Sequence, residues 1–223
     1  MLVAVAFHDA DQDRPDLAGA LAVDFVDRPR ELEVDAGAEN LASGDGTAVA
    51  FEDGFLAGVK QYNEDNGKNV EVLGWDGSNG QFVGNFEDSD KGKSITQTFL
   101  DDGADIVMPV AGPVGAGTIA AVKDAGGDAS IIWVDTDGCV SVADSCQYFL
   151  TSVQKKMDTA VYDTIKATEE GSFDNTAYVG TLENKGVDIA PYHDHEADVP
   201  EELTAKIEEY RQKIISGDYK IGG

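Results

Sequence analysis

The chain has 223 residues, of which 43 are acidic and 16 are lysine or arginine, so its formal net charge is −27 at pH 7. A surface this acidic repels the phosphates of nucleic acids and of anionic membranes, which argues against either as a partner. The apolar fraction of 42 % supports a packed core, in one large domain or two small lobes, and argues against global disorder.

The beginning of the chain differs in composition from the rest. The first residues, MLVAVAFHDA, contain no basic segment and too short an apolar run for a signal peptide, and no stretch approaches the ~18 apolar residues of a membrane span. All twelve lysines lie from Lys60 onward. We therefore separate an atypical N-terminal segment, residues 1–48, from the rest of the chain, residues 49–223.

From residue 50 onward, helix and strand signals alternate. Apolar residues at helical spacing, with capping residues at the ends, predict helices at 51–66, 89–102, 114–124, 155–168 and 200–216. Short, nearly continuous apolar runs predict strands at 70–75, 105–110, 129–135, 148–153 and 176–182. This alternation is typical of an α/β fold, in which a parallel sheet carries helices on both faces.

Ligands of such sheets bind at the carboxyl ends of the strands, which here points to the loops at 111–117 and 135–138. A phosphate loop of the GxxxxGK[ST] type is not matched, because no lysine follows Gly117 and the GKS at 92–94 lacks the preceding glycine. Residues 115–120, GAGTIA, match the GxGxxA dinucleotide pattern, and Asp135 follows at the distance of a ribose-binding acid. An NAD-binding oxidoreductase therefore stays open beside a phosphate-free ribose ligand, whose diol the Asp135 carboxylate can bind.

The two cysteines, Cys139 and Cys146, lie in one polar loop, DTDGCVSVADSCQ. Their close spacing favours a disulfide, and hence an oxidising compartment. Unpaired thiols remain an alternative, whereas a metal or redox pair would need CxxC spacing or histidine ligands nearby.

Several sequence blocks occur in a recognisable order: FEDGFLAGVK, DKGKSITQTFLDDGADIVMPVAGPVGAG, IIWVDTD, LTSVQKKMDTAVYDTIK, ENKGVDIAPYHD and KIISGDYKI. Over about residues 49 to 221 the chain resembles the basic membrane protein (BMP) family, substrate-binding lipoproteins that serve ABC importers. The resemblance implies a type I periplasmic-binding-protein fold, in which two lobes close on a ligand. Residues 49–150 would form mainly the second lobe, and residues 151–223 would cross back at the hinge.

The best-known ligands of that family are purine nucleosides, and the resemblance implies roles for individual residues. Asp135 would accept ribose hydroxyls and Lys155 would donate to the ribose. The remaining candidates line or flank the pocket: Val110, Ala111, Gly112, Trp133 and Asp137. Structural roles are the alternatives, since Asp135 could cap a turn, Lys155 could lie on plain helix surface and Trp133 could pack in the core.

The resemblance also implies a membrane permease as partner, an extracytoplasmic location, no cofactor and no enzymatic activity. The histidines 8, 193 and 195 lack a nucleophile–base context, and the run His193–Glu196 would be an ordinary loop rather than a metal site. A sugar-binding protein of the same fold is a further alternative.

The family's first lobe and its lipid-bearing cysteine are not recognisable in the sequence. We therefore hypothesise an N-terminally truncated member of the family. The helix predicted at 155–168 would then expose Val161 and Ile165, which favours self-association.

Overall fold

The computed structural model describes residues 4–8, 46–110 and 112–219, with side chains from residue 51 onward. The strands are β1 Ala4–His8, β2 Glu71–Leu73, β3 Ile106–Pro109, β4 Ser130–Asp135, β5 Phe149–Lys155 and β6 Val187–Ile189. The helices are α1 Gly46–Asn66, α2 Ser89–Asp101, α3 Gly115–Asp124, α4 Gly138–Ser141, α5 Met157–Glu169 and α6 Glu201–Ser216. Most of residues 1–48 lie outside the described part, so the division at residue 48 stays a prediction.

The strands form one sheet in the order β2-β1-β3-β4-β5-β6. The β3–β4 and β4–β5 pairs are parallel, as the sequence predicts. The β1–β2, β1–β3 and β5–β6 pairs are antiparallel. The α/β class is therefore confirmed, with a parallel centre and antiparallel pairings towards both edges of the described sheet.

Helices cover both faces of the sheet because successive strand residues point to opposite sides. Ile132 and Val134 of β4 share a core cluster with Phe55 of α1 and Ile207 of α6. On the other face, Ile131 packs with residues of α3 and β5. All four residues of β3 are buried, and so are Ile131, Ile132 and Val134 of β4, which explains the apolar sequences of the two strands.

The predicted strand at 176–182 is wrong, and the edge strand β6 forms from residues 187–189 instead. The Asn184 side chain accepts hydrogen bonds from the backbone N–H groups of Thr181 and Gly186, at 2.8 and 2.9 Å. An asparagine that binds backbone groups locally competes with a sheet ladder, which explains the turn.

The predicted start of a helix at Lys155 is also wrong by two residues. Lys155 ends β5, where it pairs with Val187 of β6, and α5 begins at Met157. The antiparallel partner extends β5 beyond its apolar sequence, so Lys155 lies at a strand end rather than on a helix.

Helices α2 and α3 approach closely at Gly117. A Cβ atom at this position would overlap the backbone carbonyl of Ser89, at the start of α2. The buried hydroxyls of Thr96 and Thr118 bond each other across the same contact, at 2.9 Å. The second glycine of the GAG motif is therefore required by helix packing.

None of the described helices is both long enough and apolar enough to cross a membrane.

Candidate ligand-binding site

Asp135 and Lys155 meet at the carboxyl ends of the neighbouring parallel strands β4 and β5. The Lys155 Nζ atom lies 2.7 Å from Asp135 Oδ1, and both side chains are 42 % exposed. The two residues assigned to ribose recognition thus form an ion pair that is open to solvent. Such a pair keeps a hydrogen-bond acceptor and a donor side by side.

The backbone of Asp135 is in the left-handed region, with φ at 71°. A residue with a Cβ atom is disfavoured there by roughly 1–2 kcal/mol. Strained conformations of this kind are concentrated at binding and catalytic sites, where the fold holds one side chain in a required direction. The conformation therefore adds a second observation in favour of Asp135 as a ligand-binding residue.

Phe51 contacts the ion pair, although sequence reasoning assigned it only to a helix face. Its ring is buried, and the Lys155 Nζ atom lies 5.1 Å from the ring centroid. The quadrupole of the ring attracts the ammonium group and restrains its position. The helical periodicity around Phe51 predicts burial but carries no signal for a partner about a hundred residues away.

A cavity of about 340 Å³ lies beside Asp135, between the glycine loop before α3 and the segment that follows β4. Its lining residues are Gly112, Pro113, Ala116, Ile119, Trp133, Val134, Asp135, Thr136, Ser141 and Val142. Among the described residues of this lining, Asp135 is the one that is ionisable. The volume suits a small ligand, and the largely apolar wall with one carboxylate suits a ligand with both an apolar face and hydroxyl groups.

Trp133 has both of the roles considered for it. Its ring packs against Phe149 with centroids 5.2 Å apart, and it also lines the cavity. A Cβ atom on Gly115 would lie 2.7 Å from the indole ring, so the first glycine of the GAG motif makes room for the tryptophan. Both glycines of that motif therefore serve protein packing, so they do not by themselves favour the dinucleotide interpretation.

Three further predicted site residues, Gly112, Val110 and Ala111, come just before α3. Gly112 lines the cavity with φ at 37°. Val110 is buried in the core cluster beneath α1 and is not among the lining residues. Ala111 lies outside the described residues, so its role stays a prediction.

Asp137 caps the short helix α4 rather than lining the cavity. Its carboxylate accepts from the Cys139 backbone N–H at 3.0 Å, and its second oxygen lies 2.9 Å from His193 Nε2. Asp137 thereby supports the segment that follows β4.

Cys139 and Cys146 form the predicted disulfide, with Cα atoms 4.4 Å apart. Donor atoms of Asp137, Cys139 and His193 lie within 4.8 Å of one another, as in a possible metal site. The disulfide bears on this group because Cys139 belongs to both. A disulfide sulfur is not a thiolate ligand, so the group reduces to a carboxylate–imidazole pair. His195 bonds Asp198 and the Gln147 carbonyl instead, so the two histidines do not converge.

Comparison with known proteins identifies relatives of the chain. A family model described as "ABC transporter substrate-binding protein PnrA-like" (Bmp) matches residues 46–223. A CD4+ T-cell-stimulating antigen of Listeria innocua is 33 % identical over 184 residues, which are 77 % of this chain and 48 % of that protein. The ABC transporter nucleoside-binding protein BmpA of Lactococcus lactis is 31 % identical over 152 residues, which are 62 % of this chain and 40 % of that protein.

Among solved structures, a solute-binding protein of an ABC transporter system from Aeropyrum pernix superposes with a TM-score of 0.68 and 24 % identity. The match covers 92 % of this chain and 63 % of the other. This likeness shows the fold. The chain spans about half the length of the relatives that it matches, at 48 % and 40 % of theirs.

Proposed function

Because the chain belongs to the Bmp family of PnrA-like ABC transporter substrate-binding proteins, we propose that it binds a purine nucleoside for an ABC importer. The ion pair between Asp135 and Lys155, at the edge of a largely apolar cavity, carries this proposal. The Lactococcus lactis relative is named as nucleoside-binding, which supports the choice of ligand.

The chemistry of the site fits a ribose. The Asp135 carboxylate has free lone pairs beside the one that faces Lys155, so it can accept from two vicinal hydroxyls. The Lys155 ammonium can donate to a ribose oxygen while it stays paired. Hydrogen bonds of this charged kind are each worth about 1.5–3 kcal/mol. The apolar wall around Trp133 offers a face to a planar base.

The proposed role is binding without chemistry. The ligand would be captured on the outer side of the membrane and passed to a permease, and the Cys139–Cys146 disulfide suits an oxidising compartment. A sugar-binding protein would use the same ion pair, but the apolar cavity beside it favours a ligand that carries a base.

Thermal unfolding of the chain with inosine, guanosine, adenosine, ribose or NAD tests the proposal. A ligand that binds only the folded state adds about 2.7 kcal/mol at a hundredfold excess over Kd. We expect a rise in the midpoint with nucleosides alone. A rise with ribose alone would indicate a sugar-binding protein, and a rise with NAD alone would contradict the transport role.

Variants of the ion pair sharpen the test. Asp135→Asn removes a charged acceptor and Lys155→Met removes the donor, so each should weaken nucleoside binding at least tenfold. Lys156→Met is the matched control, because Lys156 is the adjacent lysine, whereas the contact with Asp135 is made by Lys155. Equal affinities of the two lysine variants would contradict the assignment of Lys155.

A further inference from the structure

One wall of the cavity comes from the segment between β4 and β5. This segment supplies Thr136, Ser141 and Val142 to the lining. Ser141 and Val142 lie between the two cysteines of the disulfide, which are seven positions apart in the sequence. The covalent ring that the disulfide closes therefore contains part of the cavity wall.

This wall has little intrinsic structure. Helix α4 has four residues and ends at Ser141. Isolated helices of this length are unstable in water, so the segment needs tertiary or covalent support. Val140, the third of its four residues, is 76 % exposed, so its side chain adds little to the packing of the helix.

Side-chain hydrogen bonds support the start of the wall. The Asp137 carboxylate caps the helix, and the Thr136 hydroxyl donates to Ser141 Oγ at 3.1 Å. Beyond Val142 the chain enters a 3-10 turn, Ala143–Tyr148, in which Cys146 lies. The disulfide ties this far side back to the start of α4.

The same ring contacts the opposite side of the cavity through the core. Cys139 and Val142 pack against the cluster of Ile131 and Phe149, which Trp133 and Ile119 also contact. Trp133 and Ile119 line the cavity as well. A displacement of the ring would therefore change the shape of the cavity.

We propose that the Cys139–Cys146 disulfide is a positioning element of the ligand cavity, which holds Ser141 and Val142 in place so that ligand affinity depends on the bond. The identity of the ligand rests on the proposed function. The coupling between the disulfide and the wall does not, and it can be measured without a ligand.

The first measurement is hydrogen exchange of the unliganded protein before and after reduction. A dithiol reductant transfers two electrons and two protons, which breaks the S–S bond into two thiols while the reductant closes to a cyclic disulfide. Alkylation then traps the thiols. The amides of Ser141, Val142 and Ser145 report on the wall, because each donates a backbone hydrogen bond within it, at 2.8–2.9 Å.

We expect these amides to exchange at least tenfold faster after reduction, while the amides of α6 keep their protection. Unchanged exchange at Ser141 and Val142 would overturn the proposal. Loss of protection throughout α6 as well would mean that the bond stabilises the whole domain rather than positioning the wall, and would also overturn it.

The second measurement is calorimetric titration with inosine at a temperature well below the unfolding midpoint of both forms. The double variant Cys139→Ser/Cys146→Ser should bind at least tenfold more weakly, and reoxidation of the reduced wild type should restore the affinity. Val140→Ser, in the same ring but outside the lining, should bind as the wild type does. Faster exchange with unchanged inosine affinity would overturn the link to binding. If no nucleoside binds even the oxidised protein, the proposed function fails, and the exchange measurement alone decides the positioning role.

Discussion

At Asp135 the backbone and the side chain have opposing requirements. The left-handed conformation, with φ at 71°, suits glycine, whereas the carboxylate is needed opposite Lys155. The ion pair cannot offset the strain by much, because both side chains are 42 % exposed and exposed pairs contribute about 0–1 kcal/mol. Stability therefore does not explain Asp135, and its role in ligand binding stays a prediction.

Two variants separate the two requirements. Asp135→Gly and Asp135→Ala both remove the carboxylate, so both should lose nucleoside binding. Only alanine keeps a Cβ atom in the left-handed region, so the glycine variant should be more stable by about 1 kcal/mol. Urea unfolding of the two purified variants measures this difference. Equal stability would show that the backbone relaxes at this position and stores no strain.

At the scale of elements, α1 and α6 are joined by a polar contact at the rim of their shared apolar face. The Tyr210 hydroxyl, on α6, donates to the Asp65 carboxylate, near the end of α1. This hydrogen bond lowers the pKa of Asp65 below its ordinary value of 3.8, and burial raises the pKa of Tyr210. The contact therefore stabilises the packing of the two helices while Asp65 is ionised.

Tyr210→Phe tests this contact through its pH dependence. The variant should lose about 1 kcal/mol at pH 7, a value reduced from that of a buried bond because the Asp65 side chain is 33 % exposed. A carboxyl whose pKa is lower in the folded state adds stability above its unfolded pKa, and this stability is lost as the pH falls through the folded pKa. The difference between wild type and variant should therefore shrink below about pH 4.

Urea unfolding at pH 7 and pH 3 measures the effect, with Tyr162→Phe as the control on an exposed tyrosine of α5. If the free energies of unfolding of wild type and Tyr210→Phe differ as much at pH 3 as at pH 7, the variant has lost packing of the ring rather than the bond to Asp65.

Most elements were predictable because their signals are local. Helices α2, α3 and α6 lie within one residue of their predicted bounds, since capping residues and apolar spacing are encoded within each segment. The strand predicted at 176–182 failed because Asn184 organises a turn. The helix predicted from Lys155 began late because β6 pairs with the end of β5, a contact between segments about thirty residues apart.

For the whole molecule, the charge and helix α5 have opposite effects on solubility. None of the thirteen residues of α5 is buried, and Met157, Val161, Tyr162 and Ile165 are each more than half exposed. The predicted exposure of Val161 and Ile165 is confirmed. An apolar face of this kind favours association, whereas a net charge of −27 opposes it.

We expect the chain to self-associate through α5, and more strongly at high salt. Screening shortens the range of the repulsion from about 10 Å at 0.1 M salt to about 3 Å at 1 M. Sedimentation velocity at both salt concentrations measures the association. The variant Val161→Ser/Ile165→Ser should weaken it at least tenfold, since each side chain contributes roughly 1 kcal/mol or more.

The stability of this variant should stay close to that of the wild type, because α5 supplies no buried side chain. Ile207→Ser is the control for the core, since Ile207 is buried on α6 and its truncation should cost about 2–4 kcal/mol. If the variant Val161→Ser/Ile165→Ser associates as strongly as the wild type, another surface is responsible for the association.

The order of amino acids was sufficient to predict the α/β class, the buried strand β3 and the disulfide. Each of these follows from local periodicity, composition or spacing. The direction of the edge strands, the contact of Phe51 with Lys155 and the packing role of Gly117 required the folded chain. They depend on which distant segments meet, and the free energy of those contacts is not encoded in any single stretch of sequence.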